Sequence, residues 1–191
     1  MKLKTLTIAA LLGMAATTVQ AVPVQWTTGS GANGHWYEFI STAATWDNAF
    51  KAANASTYMG MQGYLATITS AEENAFVSAT IAGSIEAWLG GSDEAVEGQW
   101  RWVNGPEAGN LFTYTSWYTA GFEPNDTGGG EDYLQTNHRQ VAGDWNDYGG
   151  PGTGASVQFG YVVEYSVPEP ATLSLMGLAL AGLAAARRRK Q

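Results

Sequence analysis

The sequence predicts an α+β domain, and three observations carry that prediction. Two amphipathic helical stripes lie early in the chain, and a series of short β-type segments punctuated by Gly, Asn and Pro follows them. Within that series, about 25 residues of irregular, acid-rich sequence form a loop too long for a compact domain unless it has a function. The domain spans residues 22–166, and both flanks differ from it in character.

Residues 1–21 read as a secretory signal peptide. Lys2 and Lys4 give a basic start, Ile8 to Ala16 an apolar stretch, and Val19 to Ala21 small side chains at the cleavage positions. "QWTTGSGANGHWYEFI" is an extended, turn-rich entry into a strand. "TAATWDNAFKAANAS" sets Trp46, Ala49, Phe50 and Ala53 on one helical face, with Thr45 as N-cap and Asp47 in the first turn. "GYLATITS" is a short strand. "SAEENAFVSATIA" opens with Ser70 and has Glu73 three residues on, a capping box that starts a second helix with Phe76 and Val77 toward the core. The segments "EAWLGGSD", "GQWRWVNG", "EDYLQTN", "AGDWND" and "FGYVVEYS" are short strands of a mainly antiparallel sheet.

Residues 167–191 form a second targeting feature: a Pro-containing hinge, an apolar stretch from Ala171 to Ala186, and a basic end from Arg187 to Lys190. As a helix the apolar stretch spans about 24 Å, slightly short of a ~30 Å hydrocarbon core. The positive-inside rule holds its basic end in the cytoplasm. The order Pro-Glu-Pro, apolar helix, Arg cluster resembles the PEP-CTERM sorting signal of Gram-negative bacteria. That resemblance implies transient inner-membrane anchoring, removal by an exosortase, and release to the cell surface or extracellular matrix. The competing reading is a permanent single-span anchor.

Charge narrows the partners. Six of the 9 Lys and Arg residues lie in the two flanks, leaving Lys51, Arg101 and Arg139 against 17 carboxylates between Glu38 and Glu169. Such a surface is a poor partner for nucleic acid or anionic lipid and a good one for divalent cations. The chain has no cysteine, which excludes thiol catalysis, disulfides and zinc–thiolate sites.

The acids cluster. "EPNDTGGGED" holds Glu123, Asn125, Asp126, Glu131 and Asp132 in ten residues with no Lys or Arg among them. Asp93 and Glu97 stand in "SDEAVEG", and Asn146 and Asp147 in "WND". Calcium takes six to eight oxygens from carboxylates, amide carbonyls and water, at about 2.3–2.6 Å. Carboxylates alternating with Asn match that demand, because Asn adds an oxygen without adding charge. Pro124 between Glu123 and Asn125 allows a cis bond that turns both side chains to one side, although spacing does not establish it.

Over nearly all of residues 33–165 the chain resembles the C-type lectin-like domain. The motifs "TWDNAFKAA", "GYLATITSAEENAFV", "AWLGGSDEAVEGQWRWVNG", "EPNDTGGGED", "WND" and "GYVVEY" stand in family order. The resemblance implies a C-type lectin-like fold and a principal calcium and carbohydrate site at Glu123, Asn125, Glu131, Asn146 and Asp147. It implies an auxiliary calcium at Asp93, Glu97, Asp126 and Asp132, with Glu131 available to both. Glu-Pro-Asn is the family's tripeptide for mannose-type sugars, so the expected ligand is a mannose-type glycan, and the sorting-signal resemblance makes a bacterial exopolysaccharide a further candidate. Two departures stand out. Ala53, Tyr133, Val163 and a position near Gly150 occupy places where the family carries cysteines, and the stretch "TNHRQVAGD" is longer than usual.

Two other functions compete: a calcium-stabilised adhesion or matrix protein that binds no sugar, and a glycoside-active enzyme. Acids sharing a cation make poor proton donors, and His35 and His138 are lone in the sequence, so no enzymatic activity is expected. Tyr118, Phe122 and Tyr148, near the acidic loops, are the aromatics expected to stack on a sugar face.

Overall fold

The computed structural model describes residues 22–150 and 156–167. The signal-peptide reading of residues 1–21 and the apolar stretch from 171 to 186 lie outside them. Among the described residues no helix is long and apolar enough to cross a membrane.

The chain begins with β1 (Val24–Gln25) and β2 (Trp36–Ala44), paired antiparallel. Helix α1 (Trp46–Ala55) follows at once, and its N-cap is Thr45, whose side chain accepts from the Asn48 N–H. Trp46, Ala49 and Ala53 are its buried face, as the apolar spacing requires. β3 (Thr57–Tyr58) and β4 (Met61–Leu65) form a hairpin. Helix α2 (Ala71–Ala75) is one turn longer in effect, because it widens into a π-helical segment over Phe76–Ile81. The strands β5 (Ala87–Ser92), β6 (Arg101–Trp102), β7 (Tyr133–Thr136), β8 (Trp145–Tyr148) and β9 (Phe159–Tyr165) complete the sheet.

The capping box forms only in part. Ser70 Oγ accepts from the Glu73 N–H at 3.1 Å, but the Glu73 carboxylate turns away from Ser70. It accepts instead from the Thr69 N–H and from the Tyr37 hydroxyl, both at 2.7 Å. A carboxylate buried this deeply goes to the donors that the interior leaves unmet.

One sheet carries the architecture, in the order β1-β2-β9-β5-β7-β8. β9 is its centre: β2 lies along one edge, while the other is shared by β5 at Gly160–Tyr161 and β4 at Val163–Tyr165. The β5–β9 pair is parallel and the remaining pairs are antiparallel. Alternation along the strands sorts side chains into two buried clusters, one on each face. Leu65, Trp88, Tyr133, Tyr161 and Val163 join α1 on one face. Ala66, Leu89, Leu134 and Val162 join Val77, Trp102 and Trp145 on the other.

This packing stands where the family resemblance implies disulfides. Ala53, Tyr133 and Val163 all lie in the α1-side cluster, and the Tyr133 ring stacks on Trp46 at 4.3 Å between centroids. The long segment between β6 and β7 is held down by aromatic rings. Phe112, Tyr114 and Trp117 pack on Trp145, with centroids 5.6 to 5.8 Å away.

Candidate functional site

Strand β8 presents two residues of the site from a rigid base. Trp145 is fully buried, and its indole N–H donates to Asn74 Oδ1 at 2.8 Å. Its backbone N–H donates to Ser116 O and its carbonyl accepts from the Tyr118 N–H, so the long loop is tied to β8 directly. Asn146 and Asp147 follow in register with Gln135 and Leu134 of β7, and both are buried.

Asp147 organises the acidic loop. Its Oδ2 accepts from the Asn125 N–H at 2.9 Å and the Asp126 N–H at 2.7 Å. The loop then closes on itself: Asp126 Oδ1 accepts from the Gly130 and Glu131 N–H groups, and Glu131 Oε2 from the Thr127 N–H at 2.9 Å. The Glu123–Pro124 peptide is cis. The Asn125 amide oxygen accepts from the Thr127 hydroxyl, and the Asn146 Nδ2 donates to Asp147 O at 2.6 Å.

Glu123 and Asp147 lie close enough for their carboxylates to interact. Glu123 Oε2 and Asp147 Oδ1 are both buried with no hydrogen-bond donor. Buried acceptors without a donor call for a proton or a cation. Burial first, then the contact with Asp147 and the charges of Asp147 and Glu131, push Glu123 up to about 7, while Arg139 opposes the shift. Burial and the Asp147 and Asp126 charges also raise Glu131, against the pull of the Thr127 hydrogen bond.

A second group lies next to the first. Oxygens of Asp93, Glu97 and Asp132 all come within 4.8 Å of one another. Asp93 and Asp132 are buried and Glu97 is exposed. Asp93 Oδ2 accepts from the Gly98 N–H at 2.9 Å, and its Oδ1 is buried without a partner. Desolvation, and then the Glu97 and Asp132 charges, push Asp93 up to about 7. Asp126 stands outside this group of three, its Oδ1 engaged by the loop amides. Gly150 closes the far side: a Cβ there would lie 2.2 Å from Asp132 Oδ2 and 2.3 Å from Gly130 O.

Both groups suit a hard cation. Their donors are oxygens, carboxylates dominate, and three buried carboxylate oxygens (Asp93 Oδ1, Glu123 Oε2, Asp147 Oδ1) lack any other partner.

The three aromatics near the loops fare differently. Phe122 is 84% exposed with a φ of 63°, beside Glu123. Tyr118 is half-buried and already in use, with the His138 ring 5.2 Å away and the Arg139 guanidinium 5.8 Å from its centroid. Tyr148 packs on Phe159 in the α1-side cluster. Arg139 is the residue that sequence reasoning missed: no basic residue lies within the acidic stretch, but the tertiary fold brings one to it. The only advance signal is that Arg139 is one of three basic residues left in the domain.

His35 is not lone in the fold. Its Nδ1 lies 2.6 Å from Glu164 Oε1, the sole ion pair among the described residues. Burial works against its charge, yet the Glu164 hydrogen bond and the Glu164, Glu73 and Glu107 charges together raise its pKa above 6.5. The pair sits on β9 and the β1–β2 loop. His138 is lowered by burial and by Arg139.

The family model of the lectin C-type domain matches residues 42–150, and that of the PEP-CTERM protein-sorting motif matches residues 166–190. The chain is 33% identical over 142 residues to the alpha-N-acetylgalactosamine-specific lectin of Patiria pectinifera, covering 70% of this chain and 76% of that lectin. It is 36% identical over 142 residues to halomucin of Haloquadratum walsbyi, of whose length it spans 1%. The crystal structure of the C-type lectin CEL-I from Cucumaria echinata matches with a TM-score of 0.57 and 28% identity, over 76% of this chain and 97% of that one.

Proposed function

The chain belongs to the C-type lectin domain family, and from that premise we propose that it is an exported, calcium-dependent lectin for mannose-type sugars such as occur in bacterial exopolysaccharide. It is a carbohydrate-binding protein rather than an enzyme. One observation carries the calcium reading: Glu123 and Asp147, two acids that interact, each hold a buried carboxylate oxygen with no hydrogen-bond partner. Glu123, Asn125, Glu131, Asn146 and Asp147 would hold the principal ion, and Asp93, Glu97 and Asp132 an auxiliary one, with Asp126, which the family resemblance also places there, outside this group of three. Calcium, when bound, supplies a cationic centre for two vicinal sugar hydroxyls.

The side chains supply selectivity. Glu123 accepts from one hydroxyl proton and Asn125 donates to the neighbouring oxygen, so their order along the chain fixes the handedness of the diol that fits. The Patiria relative is an N-acetylgalactosamine-specific lectin; the mannose-type reading rests on the Glu123–Pro124–Asn125 order of this chain. The PEP-CTERM match supports export and exosortase processing, with the domain occupying residues 22–166 and the sorting segment 167–191.

The test is retention of the purified protein on mannose resin with calcium and its release by chelator. Calcium at a hundredfold excess over its dissociation constant is expected to stabilise the fold by about 2.7 kcal/mol. A melting temperature indifferent to calcium and chelator sinks the metal reading. Retention that ignores both sinks the lectin reading. Deleting residues 167–191 is expected to change cell fractionation, and identical fractionation refutes the sorting proposal.

A further inference from the structure

The lengthened stretch beside the acidic loop delivers a cation, and its placement is built rather than incidental. Asn137 is buried, and its side chain donates to Ser78 O and Ile85 O and accepts from the Gly143 N–H. This pins the loop's base. Asn137, Arg139 and Gln140 then take positive φ angles of 61°, 54° and 61°, a conformation that side-chain-bearing residues rarely adopt. The Arg139 N–H is held by Glu86 Oε1 at 3.1 Å. The turn thereby carries the Arg139 side chain back over Tyr118.

Tyr118 links that cation to the acidic loop. Its carbonyl accepts from the Glu123 N–H, and its N–H donates to Trp145 O, next to Asn146. A methyl group at Gly121 would lie 2.7 Å from Glu123 Oε1 and 2.8 Å from Tyr118 Cδ1, so the ring edge and the carboxylate share the space a side chain would fill. Arg139 is therefore one ring away from Glu123.

The guanidinium is available. Among the described residues Arg139 makes no ion pair, although the domain is strongly acidic. Arg101, by contrast, is tied to Gly109 O at 2.8 Å and to Gln99 Oε1 at 3.2 Å. An exposed guanidinium stacked on a ring keeps its fork of N–H donors free for a planar anion.

We propose that Arg139, seated on Tyr118, forms an anion subsite beside the sugar site, so that the preferred ligands are acidic glycans carrying a carboxylate or sulfate. This rests on the sugar-binding reading given above. The two sources of negative charge share the recognising chemistry and are separated by experiment.

The experiment is calorimetric titration of the full chain, with saturating calcium, by three glycosides: methyl mannoside, methyl mannuronoside and methyl mannoside 6-sulfate. All three keep the same ring diol, so the readout is the ratio of anionic to neutral affinity. The wild-type ratio is expected to be about fivefold for at least one anion, the scale of an exposed charge pair. Preference for the mannuronoside alone identifies uronates, and for the sulfate alone, sulfated sugars. R139A is expected to bring the ratio to one, R139K to keep part of it, and R101A, which removes the same charge elsewhere, to leave it unchanged. A salt series on the wild type reads the same charge without a variant, since a Debye length of about 3 Å at 1 M salt should bring the ratio toward one. A flat wild-type ratio, or one that survives R139A or high salt, overturns the proposal while the lectin reading stands. Failure of all three glycosides to bind calcium-loaded protein overturns both.

Discussion

Glu123 and Asn125 are neighbours across one proline, yet their environments differ. Glu123 is half-buried against Asp147, whereas the Asn125 amide is exposed and its backbone N–H is the group that Asp147 holds. The side chain of Asn125 is engaged only at the surface, by the Thr127 hydroxyl and weakly by Gly121 O, while that of Glu123 is partly buried. Exchanging them by Glu123→Gln with Asn125→Asp keeps one carboxylate and one amide but reverses acceptor and donor. By family resemblance the swapped protein should lose about tenfold in mannoside affinity, the scale of one well-made hydrogen bond, and lean toward galactose-type sugars. Parallel mannoside, galactoside and calcium titrations check this. Unchanged sugar binding with calcium still bound would show that these residues are structural.

At the scale of an element, α1 is fixed against β4 more closely than its amphipathic stripe alone explains. Gly63 makes the approach possible: a Cβ there would meet Ser56 Oγ at 2.1 Å, and Ala53 O and Tyr165 Cε1 both at 2.9 Å. Ser56 can move, but the Ala53 carbonyl is helix backbone and Tyr165 is buried. Gly63→Ala is therefore expected to destabilise the domain by about 1–3 kcal/mol, as overpacking does. Urea unfolding in saturating calcium measures it. A change below a few tenths of a kcal/mol would mean that the helix shifts freely and that the close contact is unimportant. The contact matters because the face it seals contains Ala53, Tyr133 and Val163, where packing stands in for cross-links.

The whole molecule responds to pH through its crowded carboxylates. Asp93 and Glu123 are pushed up to about 7, chiefly by burial and then by neighbouring acids, from ordinary values near 4. A raised carboxylate contributes stability that is full below its unfolded pKa and is lost as pH climbs through the folded value. His35, also raised, works in the same direction. In chelator the melting temperature is therefore expected to fall between about pH 4.5 and 7.5. Calcium requires the ionised forms, so the increment it adds should grow over the same interval. Thermal scans at pH 5, 6, 7 and 8, with calcium and with chelator, check both trends. A calcium increment that shrinks as pH rises would contradict the assignment of these acids to the ion.

The sequence by itself determined the elements and the inventory of ligands. The α1 stripe with its Thr45 cap, the short strand "GYVVEY", the acidic run from Glu123 to Asp132 and the Pro-Glu-Pro segment are local patterns, and local patterns are legible because backbone periodicity and turn chemistry act over a few residues. Tertiary structure alone decided which distant groups meet. Glu73 was legible as half of a capping box, but only the fold shows that its carboxylate serves Thr69 and Tyr37. The pairing of His35 with Glu164 spans 129 positions in the chain, and no spacing rule reaches that far. Arg139 is separated from Glu123 by a strand and a turn, and it arrives over Tyr118 because positive-φ residues and the buried Asn137 redirect the loop. Composition left the domain only three Lys and Arg residues; folding decided where one of them would stand.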